Sequence, residues 1–292
     1  MGGRVTIDRQ PAARDDRAVL SGLAGKVAVV TGGAGGLGSA AARRLAAEGC
    51  RVVVVDIDGD GARKVAAELP TDSAWAQADV AREEDVDGYL DVATRTFGRI
   101  DLHHLNAGIP GTPGAFPGLG TAEFDRVMAV NVRGVFLGLR GAFRRYREQR
   151  TAGSVVLTAS IASLRGSADL IAYQTSKHAV LGLLRGAAMY GGPLGIRVNA
   201  VAPGIVPTDL FSPLGREDMV RRAASSPLRR AGTTDEIASV VAFLLSEESA
   251  YMTGEVVSVD GGSAIVSTVR PSGGAGAWDF AGLDERTYRR EE

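Results

Sequence analysis

A glycine-rich turn near the start of the chain constrains its fold more than any other feature. Residues 31–38 read TGGAGGLG; they follow an apolar segment, Lys26 to Val30, and precede a helical pattern, Ala40 to Glu48. A second apolar segment, Arg51 to Val55, comes next. Strand, turn, helix and strand in this order form the βαβ unit of a parallel sheet, which predicts an α/β protein.

The same alternation continues to Gly262, with no linker that splits it and no internal repeat. Further apolar segments are strand candidates: Ser73 to Ala78, Asp101 to Leu105, Ser154 to Thr158, Arg197 to Val201 and Glu255 to Val259. Helical patterns cover Glu83 to Phe97, Thr121 to Glu148, Ile171 to Tyr190 and Thr234 to Ser246. These elements predict one doubly wound domain, with a mostly parallel sheet of about seven strands and helices on both faces.

Two long segments interrupt the alternation, and each follows a predicted strand. Residues 109–120 are rich in glycine and proline, and residues 203–230 form a longer irregular stretch. Open α/β sheets bind ligands at the carboxyl ends of their strands, so both segments are predicted pocket walls and the second a lid. Ordinary surface loops are the alternative. Residues 1–22 are predicted to be a flexible extension, 23–262 the doubly wound domain and 263–292 a flexible tail.

Composition excludes several classes of protein. The chain has 292 residues and a formal net charge of −1, which favours neither nucleic acid nor a membrane surface as a partner. No apolar run reaches the roughly 18–20 residues of a membrane span, and the polar N-terminus lacks the core of a signal peptide. Cys50 is the only cysteine, which excludes an intrachain disulfide, argues against a cysteine-based metal site and fits a cytoplasmic location.

The glycine turn predicts a dinucleotide site. Residues without a Cβ let the backbone approach a pyrophosphate, and the following helix directs its first N–H groups at the phosphates. The spacing fits three templates. Gly33, Gly35 and Gly38 match G-x-G-x-x-G; Gly32, Gly36 and Gly38 match T-G-x-x-x-G-x-G; Gly32, Gly35 and Gly38 match T-G-x-x-G-x-x-G. The turn therefore indicates a dinucleotide without choosing a family.

Asp56 predicts which dinucleotide is bound. It follows the second strand, eighteen residues after Gly38, where a carboxylate can accept hydrogen bonds from ribose hydroxyls and would repel a 2′-phosphate. Asp58 adds a second negative charge, and no lysine or arginine in the turn or at positions 57 and 58 offsets it. These residues favour NAD over NADP. In the alternative interpretation, Asp56 only caps the next helix.

A tyrosine and a lysine four residues apart are the first catalytic candidates. Tyr173 and Lys177 share one face of a predicted helix, where an ammonium would favour the phenolate form of the tyrosine. Ser160, thirteen residues before Tyr173, offers a hydroxyl at the end of a strand. Each residue alone also fits ordinary packing. Together with a dinucleotide turn they suggest hydride transfer with tyrosine as the acid/base.

With these motifs the chain resembles the classical branch of the short-chain dehydrogenase/reductases, a family of Rossmann-type enzymes. The resemblance extends from Leu23 to Gly262. It rests on Thr31-Gly32-x-x-x-Gly36-x-Gly38, Asp79-Val80, Asn106-Ala107-Gly108, Asn131, Ser160, Tyr173-x-x-x-Lys177, Pro203-Gly204 with Thr208, and Asp260-Gly261-Gly262. One departure is Leu105, where the family often has a second asparagine. The resemblance implies an oxidoreductase that acts on CH–OH donors with NAD as acceptor.

The resemblance also implies a role for each catalytic residue. Tyr173 would be the general acid/base, Lys177 would lower its pKa and hold the nicotinamide ribose, and Ser160 would polarise the substrate oxygen. Asn131 would hold a water that links Lys177 to solvent. The implied cofactor contacts are Gly32, Gly36, Leu37, Gly38, Asp56, Ile57, Asp79, Val80, Asn106, Ala107, Gly108, Tyr173, Lys177, Pro203, Gly204, Val206 and Thr208, with Ile205 beside the ring.

Two clusters invite other interpretations. His103 and His104 suggest a metal, yet neighbours on a strand point to opposite faces and cannot readily share an ion, so no metal is predicted. Arginines at positions 140, 144, 145, 147 and 150 end the long helix. With a neutral total charge, they favour a solvated face or a subunit contact over nucleic acid. The resemblance implies a homodimer or homotetramer formed through helices 121–148 and 171–190.

The predicted activity is the NAD(H)-dependent interconversion of a secondary alcohol and a ketone. Reduction of a polyketide-like or 3-oxoacyl substrate by the same residues is one alternative, and a non-catalytic dinucleotide-sensing protein is another. Predicted pocket residues are Ile109, Ala162, Gly166, Ser167, Leu210, Phe211 and Met219. They are mostly apolar or small and favour a neutral substrate, unless Arg165 or Arg216 turns inward.

Overall fold

The computed structural model contains a seven-stranded sheet in which every neighbouring pair of strands is parallel. It describes residues 20–114, 116–166, 169–208, 223–224 and 226–265. The strands are β1 (Val27–Thr31), β2 (Arg51–Asp56), β3 (Ser73–Gln77), β4 (Leu102–Leu105), β5 (Gly153–Thr158), β6 (Ile196–Pro203) and β7 (Val256–Val259). Their order is β3-β2-β1-β4-β5-β6-β7, so the direction of winding reverses between β1 and β4.

The α-helices of the described residues are α1 (Gly36–Ala47), α2 (Gly59–Ala67), α3 (Glu83–Phe97), α4 (Thr121–Met128), α5 (Gly134–Gln149), α6 (Ile171–Gly191) and α7 (Thr234–Leu245). The predicted long helix from Thr121 is interrupted, because a π-helical segment, Ala129–Arg133, joins α4 to α5. Helix α2 was not among the predicted helices. It begins after Asp58, whose side chain caps it by accepting a hydrogen bond from the Gly61 N–H at 3.0 Å.

Alternate residues of the strands feed two separate cores, because successive side chains point to opposite faces of a sheet. Val29 and Leu105 belong to the core that packs against α3, α5 and α6. Val30 and Val54 belong to the core under α1, α2 and α7. Burial on both faces accounts for the continuous apolar runs of the sequence, and it confirms the predicted doubly wound α/β domain.

The arginines of α5 pair mainly within the chain. Three of them form ion pairs with acidic residues of α3: Arg140 with Glu83, Arg144 with Asp87 and Arg145 with Asp91. These pairs link the two helices that cover one core, and they neutralise most of the cluster locally. Exposed ion pairs of this kind contribute little stability each.

Part of the predicted organisation lies outside the described residues: 1–19 of the extension, 209–222 and 225 of the lid, and 266–292 of the tail. The limits of the domain therefore stay predictions. Within the described chain, no helix combines the length and apolar character needed to cross a bilayer. The carboxyl ends of β1 and β4 are fully described, and the winding reversal between them is where a doubly wound sheet opens a crevice.

Candidate active site

A cleft of about 480 Å³ lies along the carboxyl ends of the strands. Nearly all predicted site residues line it: Gly32, Gly36, Leu37, Asp56, Ile57, Asp79, Val80, Asn106, Ala107, Gly108, Ser160, Tyr173, Lys177, Pro203, Gly204, Val206 and Thr208. Gly38 and Asn131 are not among the residues that line the cleft. The lining residues come from segments far apart in sequence. They meet because the parallel strands that precede them all end at the same edge of the sheet.

The backbone of the glycine turn distinguishes between the three templates. Gly32 and Gly36 have φ angles of +64° and +51°, a region that L side chains rarely adopt. A Cβ on Gly38 would lie 1.9 Å from the carbonyl oxygen of Gly32. Gly35 is extended, and a Cβ there would meet no atom within 4 Å. The positions that require glycine for these reasons match T-G-x-x-x-G-x-G.

The turn also suits a pyrophosphate. No side chain caps the N-terminus of α1, whose N-cap residue is Gly35. The first N–H groups of a helix have no partner within it, and they carry the positive end of its dipole. In this chain they lie at the wall of the cleft, where Gly36 and Leu37 line it. The residues present therefore fit a dinucleotide.

Asp56 is held in place by backbone hydrogen bonds on both of its carboxylate oxygens. One oxygen accepts the Ala34 N–H of the glycine turn and the other accepts the Asp58 N–H, each at 3.0 Å. Because Asp58 and not Asp56 caps α2, the alternative interpretation of Asp56 as a helix cap is wrong. Ile57 lines the cleft beside it, although two-thirds of its side chain is exposed. A fixed carboxylate and an exposed apolar side chain suit an adenosine.

At the other end of the cleft, the hydroxyls of Tyr173 and Ser160 are hydrogen-bonded. Tyr173 lies in α6, and Ser160 directly follows the end of β5. The Ser160 oxygen also accepts the Ala162 N–H at 3.1 Å, so its proton can be donated to an oxygen in the cleft. Burial raises the pKa of Tyr173, and the hydrogen bond with Ser160 opposes that rise.

Lys177 is buried next to Tyr173. Its ammonium lies 5.7 Å from the centroid of the Tyr173 ring and donates to the carbonyl of Thr158 at 2.7 Å. Burial lowers the pKa of Lys177 to about 8. Burial is the main cause of the raised pKa of Tyr173, and the expected lowering of that pKa by Lys177 stays a prediction. The proximity of the two groups is nevertheless as predicted.

Asn131 occupies the π-helical segment and is fully buried. Its amide nitrogen donates to the Ile109 carbonyl and to the Ser176 hydroxyl, both at 2.9 Å, and its amide oxygen accepts the Ile109 N–H at 2.8 Å. Ser176 in turn donates to the Tyr173 carbonyl at 2.6 Å. The side chain of Asn131 thus ties the loop after β4 to α6.

The two histidines of β4 have separate surroundings. The Nε2 atom of His103 is 3.3 Å from the Tyr89 hydroxyl, whereas that of His104 is 2.9 Å from the Thr158 hydroxyl. Burial lowers the pKa of each histidine to about 3. Within the described residues no cluster of three or more metal-ligating side chains occurs.

The sequence analysis missed two residues of the site, Thr158 and Ser176. Thr158 lines the cleft and contacts Lys177, and Ser176 contacts Asn131. Their only signals are a hydroxyl at the end of an apolar strand and a serine beside a catalytic candidate. Of the predicted pocket residues, Ile109, Ala162 and Gly166 line the cleft, while Ser167, Leu210, Phe211, Met219 and Arg216 lie outside the described residues. Arg165 also lines it, and its guanidinium donates to the Ser263 carbonyl at 3.0 Å.

Comparison with known proteins identifies the family. A family model described as enoyl-(acyl carrier protein) reductase matches residues 32–264. The chain is 40% identical over 252 residues to levodione reductase of Leifsonia aquatica, covering 82% of this chain and 94% of that protein. It is 38% identical to the mitochondrial borneol dehydrogenase of Lavandula x intermedia, covering 85% and 94%.

A solved structure agrees with these relatives. The 3-ketoacyl-(acyl-carrier-protein) reductase of Brucella melitensis complexed with NADH has a TM-score of 0.78 and 33% identity, covering 83% of this chain and 99% of that one. The chain therefore belongs to the short-chain dehydrogenase/reductase family, as the sequence motifs predicted. Its relatives are named as a reductase and a dehydrogenase, and the chain is an oxidoreductase of this family.

Proposed function

We propose that this protein is an NAD(H)-dependent oxidoreductase that interconverts a secondary alcohol and a ketone. The observation that carries the proposal is one cleft with a fixed carboxylate, Asp56, at one end and the hydrogen-bonded pair Tyr173 and Ser160 at the other. The glycine turn, which suits a pyrophosphate, lies between these two ends of the cleft. Such an arrangement would hold a dinucleotide along the cleft, with Tyr173 as the acid/base at its catalytic end.

The preference for NAD rests on charge. Both oxygens of Asp56 are already oriented by backbone N–H groups, so its negative charge stays at the wall of the cleft. A 2′-phosphate would meet that charge, whereas ribose hydroxyls can donate to it. Among the described residues that line the cleft, the only lysine or arginine side chains are Lys177 and Arg165, both on loops or helices of the catalytic end. The similar structure with bound NADH supports the same preference.

The catalytic residues supply the proton chemistry. Bound NAD supplies the acceptor or donor of the hydride. In ketone reduction Tyr173 gives its proton to the substrate oxygen, while Ser160 donates a hydrogen bond to the same oxygen. In alcohol oxidation the transfer runs in reverse. Lys177, whose pKa of about 8 is close to neutrality, stabilises the phenolate and can exchange the proton with solvent through water near Asn131.

The substrate end of the cleft is mainly apolar. Besides Tyr173 and Ser160 it includes Ile161, Leu170 and Ile205. These side chains favour a substrate that is largely hydrocarbon around its oxygen. Reduction of a 3-oxoacyl substrate is a second candidate, because the similar Brucella protein is named for that reaction. A dinucleotide sensor without turnover would not need Ser160, Tyr173 and Lys177 together.

A spectrophotometric assay tests the proposal. NADH and NADPH absorbance would be followed with a panel of ketones, secondary alcohols with the oxidised cofactors, and 3-oxoacyl thioesters. We expect turnover of neutral ketones and alcohols with a clear preference for NAD(H). Turnover of thioesters alone would favour the second candidate, and no turnover with intact NADH binding would favour a sensor. The homo-oligomeric state and the cytoplasmic location stay predictions from sequence.

A further inference from the structure

A chain of hydrogen bonds joins Lys177 to the glycine turn through Thr158. The main-chain carbonyl of Thr158 accepts the Lys177 ammonium at 2.7 Å. Its hydroxyl donates to the side-chain oxygen of Asn106 at 3.0 Å, and the amide nitrogen of Asn106 donates to the Gly32 carbonyl at 3.2 Å. One residue thereby contacts the catalytic end of the cleft with its backbone and the cofactor end with its side chain.

The directions of these bonds define the role of His104. Because the single proton of the Thr158 hydroxyl goes to Asn106, the Thr158 oxygen must accept from the His104 Nε2 atom, which lies 2.9 Å away. His104 is therefore the neutral tautomer protonated at Nε2. Its buried Nδ1 atom has no hydrogen-bond partner among the described residues. The bond to the Thr158 hydroxyl is therefore the one that orients the His104 ring.

The same arrangement fixes the glycine turn. The Asn106 amide nitrogen would be only 3.0 Å from a Cβ on Gly32 and 2.8 Å from one on Gly38. The turn thus packs directly against the side chain that Thr158 orients. A second bond, from the Asn106 N–H to the Thr31 hydroxyl at 3.0 Å, holds the backbone of the same residue. A change in the orientation of the Asn106 amide would consequently shift the backbone of the turn.

We propose that Thr158 and His104 are positioning residues, which set the glycine turn and Lys177 at the separation that the dinucleotide requires. His104 restricts the Thr158 hydroxyl to one direction, the hydroxyl fixes the Asn106 amide, and the amide fixes the turn. The inference rests on the proposed function for its kinetic part. Its binding part concerns only the cofactor and can be measured without substrate.

Thr158→Val removes the hydroxyl and keeps the shape, so it leaves the buried His104 and Asn106 groups without their partner. We expect the Kd for NADH, measured by fluorescence titration, to rise about tenfold, within the range of one lost buried hydrogen bond. We also expect kcat to fall by a similar factor, because the glycine turn shifts relative to Lys177, which the main-chain carbonyl of residue 158 still holds. Thr158→Ser, which keeps the hydroxyl, should restore most of both.

Two controls separate positioning from stability. Thr94→Val removes a hydroxyl that bonds to the Leu90 and Asp91 carbonyls of α3, away from the cleft, and it should change neither Kd nor kcat. The double variant Thr158→Val with His104→Leu should bind NADH about as weakly as Thr158→Val alone, since the two residues act in series.

The proposal is overturned if Thr158→Val lowers the unfolding midpoint yet binds NADH as tightly as the unchanged protein, or if effects of the two substitutions on Kd add in full. A tenfold weaker Kd in an enzyme without any ketone turnover would keep the positioning role and overturn the proposed function instead.

Discussion

The two ends of the cleft are formed by different parts of the residues, backbone groups at one end and side chains at the other. The cofactor end consists mostly of backbone: left-handed glycines, the first N–H groups of α1 and the N–H groups that hold Asp56. The catalytic end consists of side chains from β5, α6 and the π-helical segment, held by bonds between residues far apart in sequence. Backbone sites depend on local sequence, whereas side-chain sites depend on the whole fold. The two ends should therefore fail in different ways.

The largest effect is expected at the backbone end. Gly38→Ala places a Cβ 1.9 Å from the Gly32 carbonyl oxygen, so the turn must move. We expect the free energy of unfolding to fall by roughly 1–3 kcal/mol and NADH binding to be lost. Urea unfolding and fluorescence titration measure the two effects. Gly35→Ala, a matched change in open space, should stay within about 0.5 kcal/mol of the unchanged protein; equal effects of both would contradict the assigned template.

The next effect concerns cofactor choice. Asp56→Asn keeps the shape but removes the charge, and we expect the preference for NADH over NADPH in kcat/KM to fall about 10- to 100-fold. Asp58→Asn is the matched control, because it removes the same charge outside the cleft and asparagine caps a helix equally well. If the two variants change the preference equally, total charge and not the position of Asp56 controls it.

A smaller effect is expected at the side-chain end. Ser176→Ala deprives the Asn131 amide of an acceptor and the Tyr173 carbonyl of a donor, both in a buried setting. We expect kcat to fall about 3- to 10-fold, as for one neutral hydrogen bond, with little change in the Kd for NADH. Ser73→Ala, which removes a bond to the Ala66 carbonyl far from the cleft, should leave both constants unchanged. A weaker Kd without a change in kcat would contradict this role for Ser176.

The smallest effect at neutral pH concerns β4, the strand between the two ends. Folding lowers the pKa of His103 and His104 to about 3 from an ordinary value of 6.5. Between pH 3 and pH 6.5 the unfolded chain therefore binds more protons than the folded one. The contribution of the two histidines to the free energy of unfolding is fully present above about pH 6.5 and is lost as the pH falls. Each histidine should contribute about 1.4 kcal/mol per pH unit in that range. Urea midpoints at pH 7 and pH 5 measure it, and the difference should shrink in His103→Gln; an unchanged difference would contradict the lowered pKa.

The same contrast explains what the sequence could predict. Periodicity predicted the seven strands, and the observed bounds differ by a residue or two in either direction; β6, for example, pairs with β7 as far as Pro203. Helix α2 was not predicted because it is short; its clearest signal is the N-cap residue Asp58. The π-helical interruption at Asn131 was not predicted either, because no residue spacing in the sequence indicates it.

The candidate site shows the same division. The glycine turn was predicted from local spacing, although only backbone angles chose between its templates. The helical spacing of Tyr173 and Lys177, with Ser160 upstream, suggested an acid/base site, and the resemblance to a family supplied the role of each residue. Nothing in the sequence indicated that Thr158 would link Lys177 to Asn106, because that contact needs β4 and β5 side by side. The pKa of Tyr173 was also beyond reach, since it depends on burial that only the fold defines.

The most direct test of the account is Tyr173→Phe, which removes one hydroxyl from the catalytic end and leaves the cofactor end untouched. We predict that kcat with a ketone and NADH falls about 100- to 10,000-fold, the usual contribution of an acid/base, while the Kd for NADH stays the same. Turnover that survives in this variant would contradict the account.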